Sequence, residues 1–427
     1  MKICINLIIL LLLVGCTHDE SIHYQETIKS SASKTRSIED AINIANDIIN
    51  NIPSRSNNLK ISSVHTILSD QSRATRPDTL IYAIDIENNG GFILIAAPKN
   101  IEPILAVIDE GSYEDPANLE NEAYQVTLSQ LKQIITVQAE IIPPSIPIGP
   151  LDPILKPHEY WDTLTTHQFF SGGKVEVAWN QRYPENIYAP NKIAGCVPVA
   201  IAQILTYLEY PKSINYTFPN CDITSENLNW NEIKKHKRSV RNLSENCADC
   251  KALNETHYTI GRLVREIGHV ANAQYGHSAT SATSIGTMDA LLYFTDKIEY
   301  LYYSNPSELF NRLKSDGGIS LIIASGFDSN KNLSAHAWVA DDTNTTTKKI
   351  THYLYNLSTK SYDIVEQKYE EIKLIHYNWG WGGNCNGYFN ISIYDSGKGA
   401  NYDYKDLPNP SSFEFDNTEF FYIPVNN

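Results

Sequence analysis

Basic residues are scarce in this chain. Its 427 residues carry 34 Lys and Arg against 49 Asp and Glu, a formal charge of -15. A surface that tracks phosphates needs clustered Lys and Arg, so nucleic acid is excluded as a partner, and the negative balance speaks mainly to solubility. A membrane-spanning run is missing as well. The apolar stretch that opens the chain, residues 3–14, is interrupted by Cys4 and Asn6 and is too short to cross a bilayer as a stable helix. Paired metal-ligand spacing is also lacking. Cys247-Ala248-Asp249-Cys250 is followed by no second C-x-x-C and no H-x-x-x-H, so it reads as a local disulfide or two plain thiols rather than half a zinc site.

What is present looks globular: 42% hydrophobic and 19% charged residues over a length that suggests two domains. Lys2 followed by the short apolar run has the pattern of an export signal. The run ends in Leu13-Val14-Gly15-Cys16, similar to the lipobox of bacterial lipoproteins, which implies lipidation of Cys16. The expected location is then the cell envelope, with the chain held to a membrane through its N-terminal lipid. The competing reading is ordinary signal cleavage with Cys16 incidental. Export permits disulfides. Beyond Cys4 and Cys16 stand Cys196, Cys221, Cys247, Cys250 and Cys385, an odd number, so a monomer keeps at least one thiol.

Ser37-Ile38-Glu39-Asp40 reads as a capping box, and Ile38, Ala41, Ile42, Ala45, Ile48 and Ile49 then share one helical face. Strand patterns follow at residues 79–86, 92–96 and 104–108, the first two joined by an Asn88-Asn89-Gly90-Gly91 turn, and residues 122–135 read as helix. Six prolines between residues 143 and 157 cannot continue a helix or a central strand, so this stretch is a linker open to proteolysis. Beyond it, helices are predicted at 196–208, 257–270 and 306–314. Strands are predicted at 319–324, 337–340, 350–355, 374–379, 387–393 and 419–423. Helices first and an antiparallel sheet later make an α+β arrangement. The organisation expected is a signal over residues 1–16, a small α+β pro-domain over 17–142, a linker over 143–158 and a second α+β domain over 159–427.

Four short segments carry chemistry. Gly195-Cys196-Val197-Pro198 opens the first long helix of the second domain, where backbone N–H groups and the helix dipole favour a thiolate. Upstream, Trp179-Asn180-Gln181 supplies a side-chain amide that can serve a developing oxyanion beside the Cys196 N–H. Ser334-Ala335-His336-Ala337 puts an imidazole between small residues at the head of an apolar strand. In Asn378-Trp379-Gly380-Trp381-Gly382-Gly383 an amide is available to orient the imidazole and an indole to shield it from water. Taken singly each has a bland reading: a small buried cysteine, a core histidine, a Gly/Trp packing turn.

The order Gln, Cys, His, Asn with Trp resembles papain-type thiol proteases, and the segments together resemble the streptopain family. Weaker similarity covers Asn229-Trp230-Asn231 and the segment from Tyr275 to Ala282; in the N-terminal half, Gly91-Phe92-Ile93-Leu94-Ile95-Ala96 with Pro103-Ile104-Leu105-Ala106 is similar to the family's propeptide. The resemblance implies a papain-like cysteine protease domain behind an inhibitory propeptide, acting on protein and peptide substrates. It implies Cys196 as nucleophile, His336 as general acid and base, Gln181 in the oxyanion hole, and Asn378 and Trp379 orienting and shielding the ring. Ser281, Ala282, Ala335 and Trp381 would line the substrate cleft. This chemistry asks for no metal and no cofactor. Two other readings remain: a catalytically silent surface-binding lipoprotein, and a papain-fold amidase acting on cell-wall peptide. The basic run Lys234-Lys235-His236-Lys237-Arg238 departs from the family's pattern.

Overall fold

The computed structural model describes residues 34–50, 59–69, 79–140, 159–168, 170, 172–239, 254–277, 279–295, 298–301, 306–327, 333–391 and 417–425. The segment expected to be an export signal with Cys16, the Pro-rich linker and the pair Cys247 and Cys250 lie outside the described residues.

Helix α1 (Ile38–Ile49) starts where the capping box places it: Ser37 Oγ accepts from the Asp40 N–H and the Asp40 carboxylate accepts from the Ser37 N–H. Its buried stripe of Ala41, Ala45, Ile48 and Ile49 packs on one face of an antiparallel set, β1 (Ile61–Leu68), β2 (Thr79–Ile86), β3 (Phe92–Ala96) and β4 (Ile104–Ile108). Two helices, α2 (Pro116–Glu120) and α3 (Glu122–Glu140), follow, and α3 covers the other face with Tyr124, Leu128, Leu131 and Ile135. Strand β5 (Glu159–His167) comes next.

Helix α4 (Cys196–Leu208) is apolar on nearly every side, and the fold buries it accordingly, between α6 (Glu255–Val270) and the sheet. The small elements β6 (Ser213–Asn215), β7 (Ser225–Asn227), α5 (Trp230–Ile233), β8 (Gln274–Tyr275), β9 (Thr280–Ser281), α7 (Ser284–Phe294) and β10 (Glu299–Leu301) complete this helical side. Helix α8 (Pro306–Asp316) then leads into β11 (Ile319–Phe327), β12 (Leu333–Asn356), β13 (Ser361–Asn378), β14 (Gly387–Asn390) and β15 (Asn417–Ile423).

The strands predicted at residues 337–340 and 350–355 are one strand, β12. The polar run between them stays extended because β13 pairs with it on one side and β5 on the other, and a ladder satisfies backbone groups whatever the side-chain pattern. The eleven-stranded antiparallel sheet has the order β1-β2-β3-β4-β14-β13-β12-β11-β15-β10, with β5 added to β12. The two α+β halves are therefore continuous. Val107 pairs with Tyr388 and Ile108 with Gly387 across the join, the Asn121 side-chain amide donates to the Asn384 carbonyl, and the Asn384 side-chain amide donates to the Ala117 carbonyl. One core combines Phe92, Leu105 and Tyr124 from the first half with Trp338, Ile375 and Trp379 from the second.

Among the described residues no helix is long and apolar enough to cross a membrane.

Candidate active site

Cys196 is the first residue of α4, half-buried, with the following turns of the helix buried behind it. Its N-cap Gly195 has φ 97°, and an added Cβ there would lie 2.8 Å from Thr280 Cγ2, so a residue without a side chain is needed for the chain to enter the helix. Pro198 sits in the first turn, where its missing N–H costs nothing. The contact with Thr280 brings the β9 segment beside the cysteine, which places Ser281, exposed, and Ala282, half-buried, next to the helix start.

His336 lies on β12 opposite Ala324 of β11. Its Nε2 is 2.8 Å from the Trp379 carbonyl and 3.2 Å from Trp381 Nε1. A carbonyl only accepts, so Nε2 carries the hydrogen in the shorter contact and Nδ1 keeps the lone pair; the Trp381 N–H, a donor only, is then a close neighbour of Nε2 and not a second hydrogen bond. The ring stacks on Trp338 at 15° and 6.2 Å, as side chains two apart on a strand do. Burial pushes the imidazole down to about 4, with the Trp379 carbonyl opposing, so at neutral pH the ring is uncharged. Ala337 and Val339 face the α4 core, whereas Trp338 and Ala340 face the core shared with the first half. In this state the imidazole is stacked on the side of β12 covered by the N-terminal half, and Ala335 beside it is exposed.

Asn378 does not orient that ring. Its Nδ2 donates to the Val177 carbonyl at 2.8 Å and its Oδ1 accepts from the Gly380 N–H at 3.4 Å. At this point of β13 the side chain is aimed at the incoming segment of residues 177–181 instead. Trp379 holds the imidazole through its backbone carbonyl. Its indole is committed to the Cys385 carbonyl at 2.8 Å and its N–H to Asn386 Oδ1 at 3.0 Å. Among the described residues, the rings in contact with His336 are Trp338 and Trp381. Trp338 belongs to none of the four motif segments, and its position two residues along a strand from the histidine is the signal in the sequence that points to it.

Gln181 is half-buried, and its carbonyl accepts from the Ala194 N–H at 3.0 Å, two residues before the cysteine. The Gly380–Gly383 turn closes the gap between the two halves of the site. Gly382 N donates to the Trp179 carbonyl at 3.1 Å, and Gly380 approaches Val199 of α4. Gly380 and Gly382 have φ of 74° and 68°, a region that L side chains rarely adopt. Among the described residues no group of three His, Cys, Asp or Glu side chains is placed to hold a metal.

A thiol at the head of a buried helix, a neutral imidazole with its far nitrogen fixed, and an amide beside the helix entry make up the equipment of a cysteine peptidase. The sequence model of the Peptidase C10 family matches residues 176–389, and that of the Spi protease inhibitor matches residues 30–135. The chain belongs to the peptidase C10 family, with an inhibitor domain ahead of the peptidase. It is 21% identical over 344 residues, 76% of its own length, to the thiol protease/hemagglutinin PrtT of Porphyromonas gingivalis, and it spans 35% of that relative. A structure of a prointerpain A fragment from Prevotella intermedia aligns with 85% of the chain and 99% of its own at 18% identity and a TM-score of 0.47. Active interpain A cysteine protease from the same organism aligns with 58% and 92% at 20% identity and a TM-score of 0.36.

Proposed function

We propose that this chain is the zymogen of an exported, lipid-anchored cysteine endopeptidase. The observation that carries the reading is the hydrogen bond from His336 Nε2 to the Trp379 carbonyl, 2.8 Å long, which leaves Nδ1 as the base. In the active form Nδ1 takes the proton of the Cys196 thiol, and the sulfur attacks the carbonyl carbon of the scissile peptide. The Cys196 N–H and the Gln181 amide receive the oxyanion. The C–N bond breaks as the imidazolium returns its proton to the leaving amine. Water, deprotonated by the same ring, then cleaves the thioester and frees the acid and the thiol. In this reading Ser281, Ala282, Ala335 and Trp381 would line the substrate cleft.

Latency follows from the shared core. While the first half covers its face of β12, the imidazole is neutral and stacked on Trp338, and a thiolate–imidazolium pair has no cation. Cleavage within residues 143–158 would release that cover. The lipobox-like Cys16 would tether the precursor to the envelope.

Casein hydrolysis by the processed protein tests the chemistry: Cys196→Ala should abolish it, and activity surviving that change would end the reading. Hydrolysis of peptidoglycan in place of casein would favour the amidase. Mass spectrometry of the N-terminus should show new ends between Glu140 and Gln181 only when Cys196 is intact. Replacing Cys16 by Ser should move the chain from the membrane fraction to the soluble one.

A further inference from the structure

Residues 177–181 run between the cysteine helix and the glycine turn, and their backbone is held from several directions. Val177 O accepts the Asn378 amide, and Trp179 O accepts the Gly382 N–H. Trp179 N donates at 2.9 Å to Oε1 of Gln203, which lies two turns along α4 from Cys196 and is wholly buried. From beneath, the strand-like segment at 236–239 pairs with them: Ala178 N donates to Lys237 O, and Trp179 Nε1 to His236 O, both at 2.7 Å.

The last of these supports is a side chain. Asn180 N donates at 2.7 Å to Ser239 Oγ, and Ser239 Oγ donates onward at 2.7 Å to Oε1 of Glu185. Both Ser239 and Glu185 are buried. A serine hydroxyl rotates freely unless its proton has a fixed destination. Glu185 supplies that destination, which aims the oxygen lone pair at the Asn180 N–H. Among the described residues the basic group nearest the carboxyl is His236, with Nε2 3.9 Å away, and burial pushes that imidazole down to about 4. Burial likewise pushes Glu185 up to about 8, and its Oε1, 2.7 Å from Ser239 Oγ, is the oxygen that accepts the hydroxyl proton.

We propose that Ser239, with its hydroxyl direction set by Glu185, is a positioning residue for the Asn180–Gln181 peptide and through it for the Gln181 amide that meets the oxyanion. The inference rests on the oxyanion role proposed for Gln181. Displacement of about 1 Å at a reacting centre costs on the order of 100-fold, and loss of one oxyanion donor roughly 10²- to 10³-fold. Partial freedom at Asn180 should therefore cost about tenfold in kcat.

The test is a double-mutant cycle on Ser239→Ala and Gln181→Ala. Each variant is made as the full chain and processed in trans by an immobilised peptidase that is then removed. Two rates are read for each: hydrolysis of a peptide amide, and alkylation of Cys196 by iodoacetamide, which needs the thiolate but builds no oxyanion. Ser239→Ala should lower kcat about tenfold with KM within about twofold and the alkylation rate unchanged. Its effect should fall below about twofold in the Gln181→Ala background. Ser239→Thr should restore the rate, and Glu185→Ala should resemble Ser239→Ala without adding to it. An undiminished Ser239→Ala effect in the double variant, or a parallel fall in alkylation, would make Ser239 a residue of the fold and overturn the proposal. So would an unchanged kcat. If Gln181→Ala alone leaves kcat intact, the oxyanion assignment fails first, and the two failures are thereby told apart.

Discussion

Asp109 Oδ2 lies 2.8 Å from Nε2 of His376, so a carboxylate of the inhibitor domain and an imidazole of the peptidase meet inside the shared sheet. The other ring nitrogen is 2.6 Å from Asp341 Oδ1, and the Tyr388 ring stands edge-on at 5.0 Å. Burial disfavours the charged ring, but two carboxylates outweigh it and hold the imidazole well above its usual range, as a cation. Removing the inhibitor domain removes one of the two anions.

Asp109→Asn should therefore loosen the precursor. A charge-assisted hydrogen bond contributes about 1.5–3 kcal/mol, and Asp341 remains to hold the ring, so the loss should fall near the low end. The measurement is thermal unfolding in a Cys196→Ala background, beside the rate of self-processing with Cys196 intact, which should rise. Because the folded pKa of His376 is raised, its contribution is complete below about pH 6.5 and fades as the pH climbs through the raised value. The gap between wild type and Asp109→Asn should narrow at alkaline pH; a gap that widens there would contradict the assignment.

His336 has the opposite sign. Its folded pKa is lowered to about 4 from 6.5, so the closed precursor favours the neutral ring. That contribution is complete above pH 6.5 and is lost as the pH falls from 6.5 towards 4. Self-processing should quicken across that window. Ring proton shifts in the Cys196→Ala precursor should titrate near 4 and move upward once the inhibitor domain is cut away.

Asn378→Ala separates the observed contacts from the expected ones. With its amide bonded to Val177 and Gly380, the change should cost about 1–2 kcal/mol of stability and less than about tenfold in kcat. Had this side chain fixed the tautomer of His336, losing it should cost roughly 10⁴-fold, as loss of the orienting carboxylate does in a serine-protease triad. Steady-state kinetics on the processed variant decide between the two.

Gly173→Ala provides a steric probe of the buried pair. A Cβ at residue 173 would sit 2.3 Å from His376 Cε1 and 2.6 Å from Asp341 Oδ2, both of which are buried. Overpacking of this kind typically costs about 1–3 kcal/mol, so the unfolding temperature should drop and self-processing should accelerate. Gly172→Ala is the comparison: its φ of 78° brings some strain, but nothing lies within 4 Å of the added carbon. Equal losses at both positions would remove the argument.

Local chemistry made much of this molecule legible. The capping box at Ser37 and the apolar run from Cys196 placed α1 and α4, and the strand-like runs at residues 79–86, 92–96 and 104–108 became β2, β3 and β4 with the expected bounds. Strand β1 and the polar middle of β12 went unread because half-buried and solvent-facing strands carry little hydrophobic alternation, and their extension comes from the neighbours they pair with. The place of Asn378 in its motif points to the ring. The structure gives that place to the adjacent carbonyl, and backbone carbonyls leave no trace in residue identity.

By itself the sequence determined the chemical types available and the helix that presents the thiol, because propensity, capping and apolar periodicity act over neighbouring residues. Only the tertiary structure decided which atom holds His336, which side of β12 its ring occupies, and that the inhibitor's strands continue the peptidase sheet. Those outcomes depend on pairings between residues hundreds of positions apart, such as Asp109 with His376, where burial turns two ordinary side chains into a charged contact that neither would make alone in water.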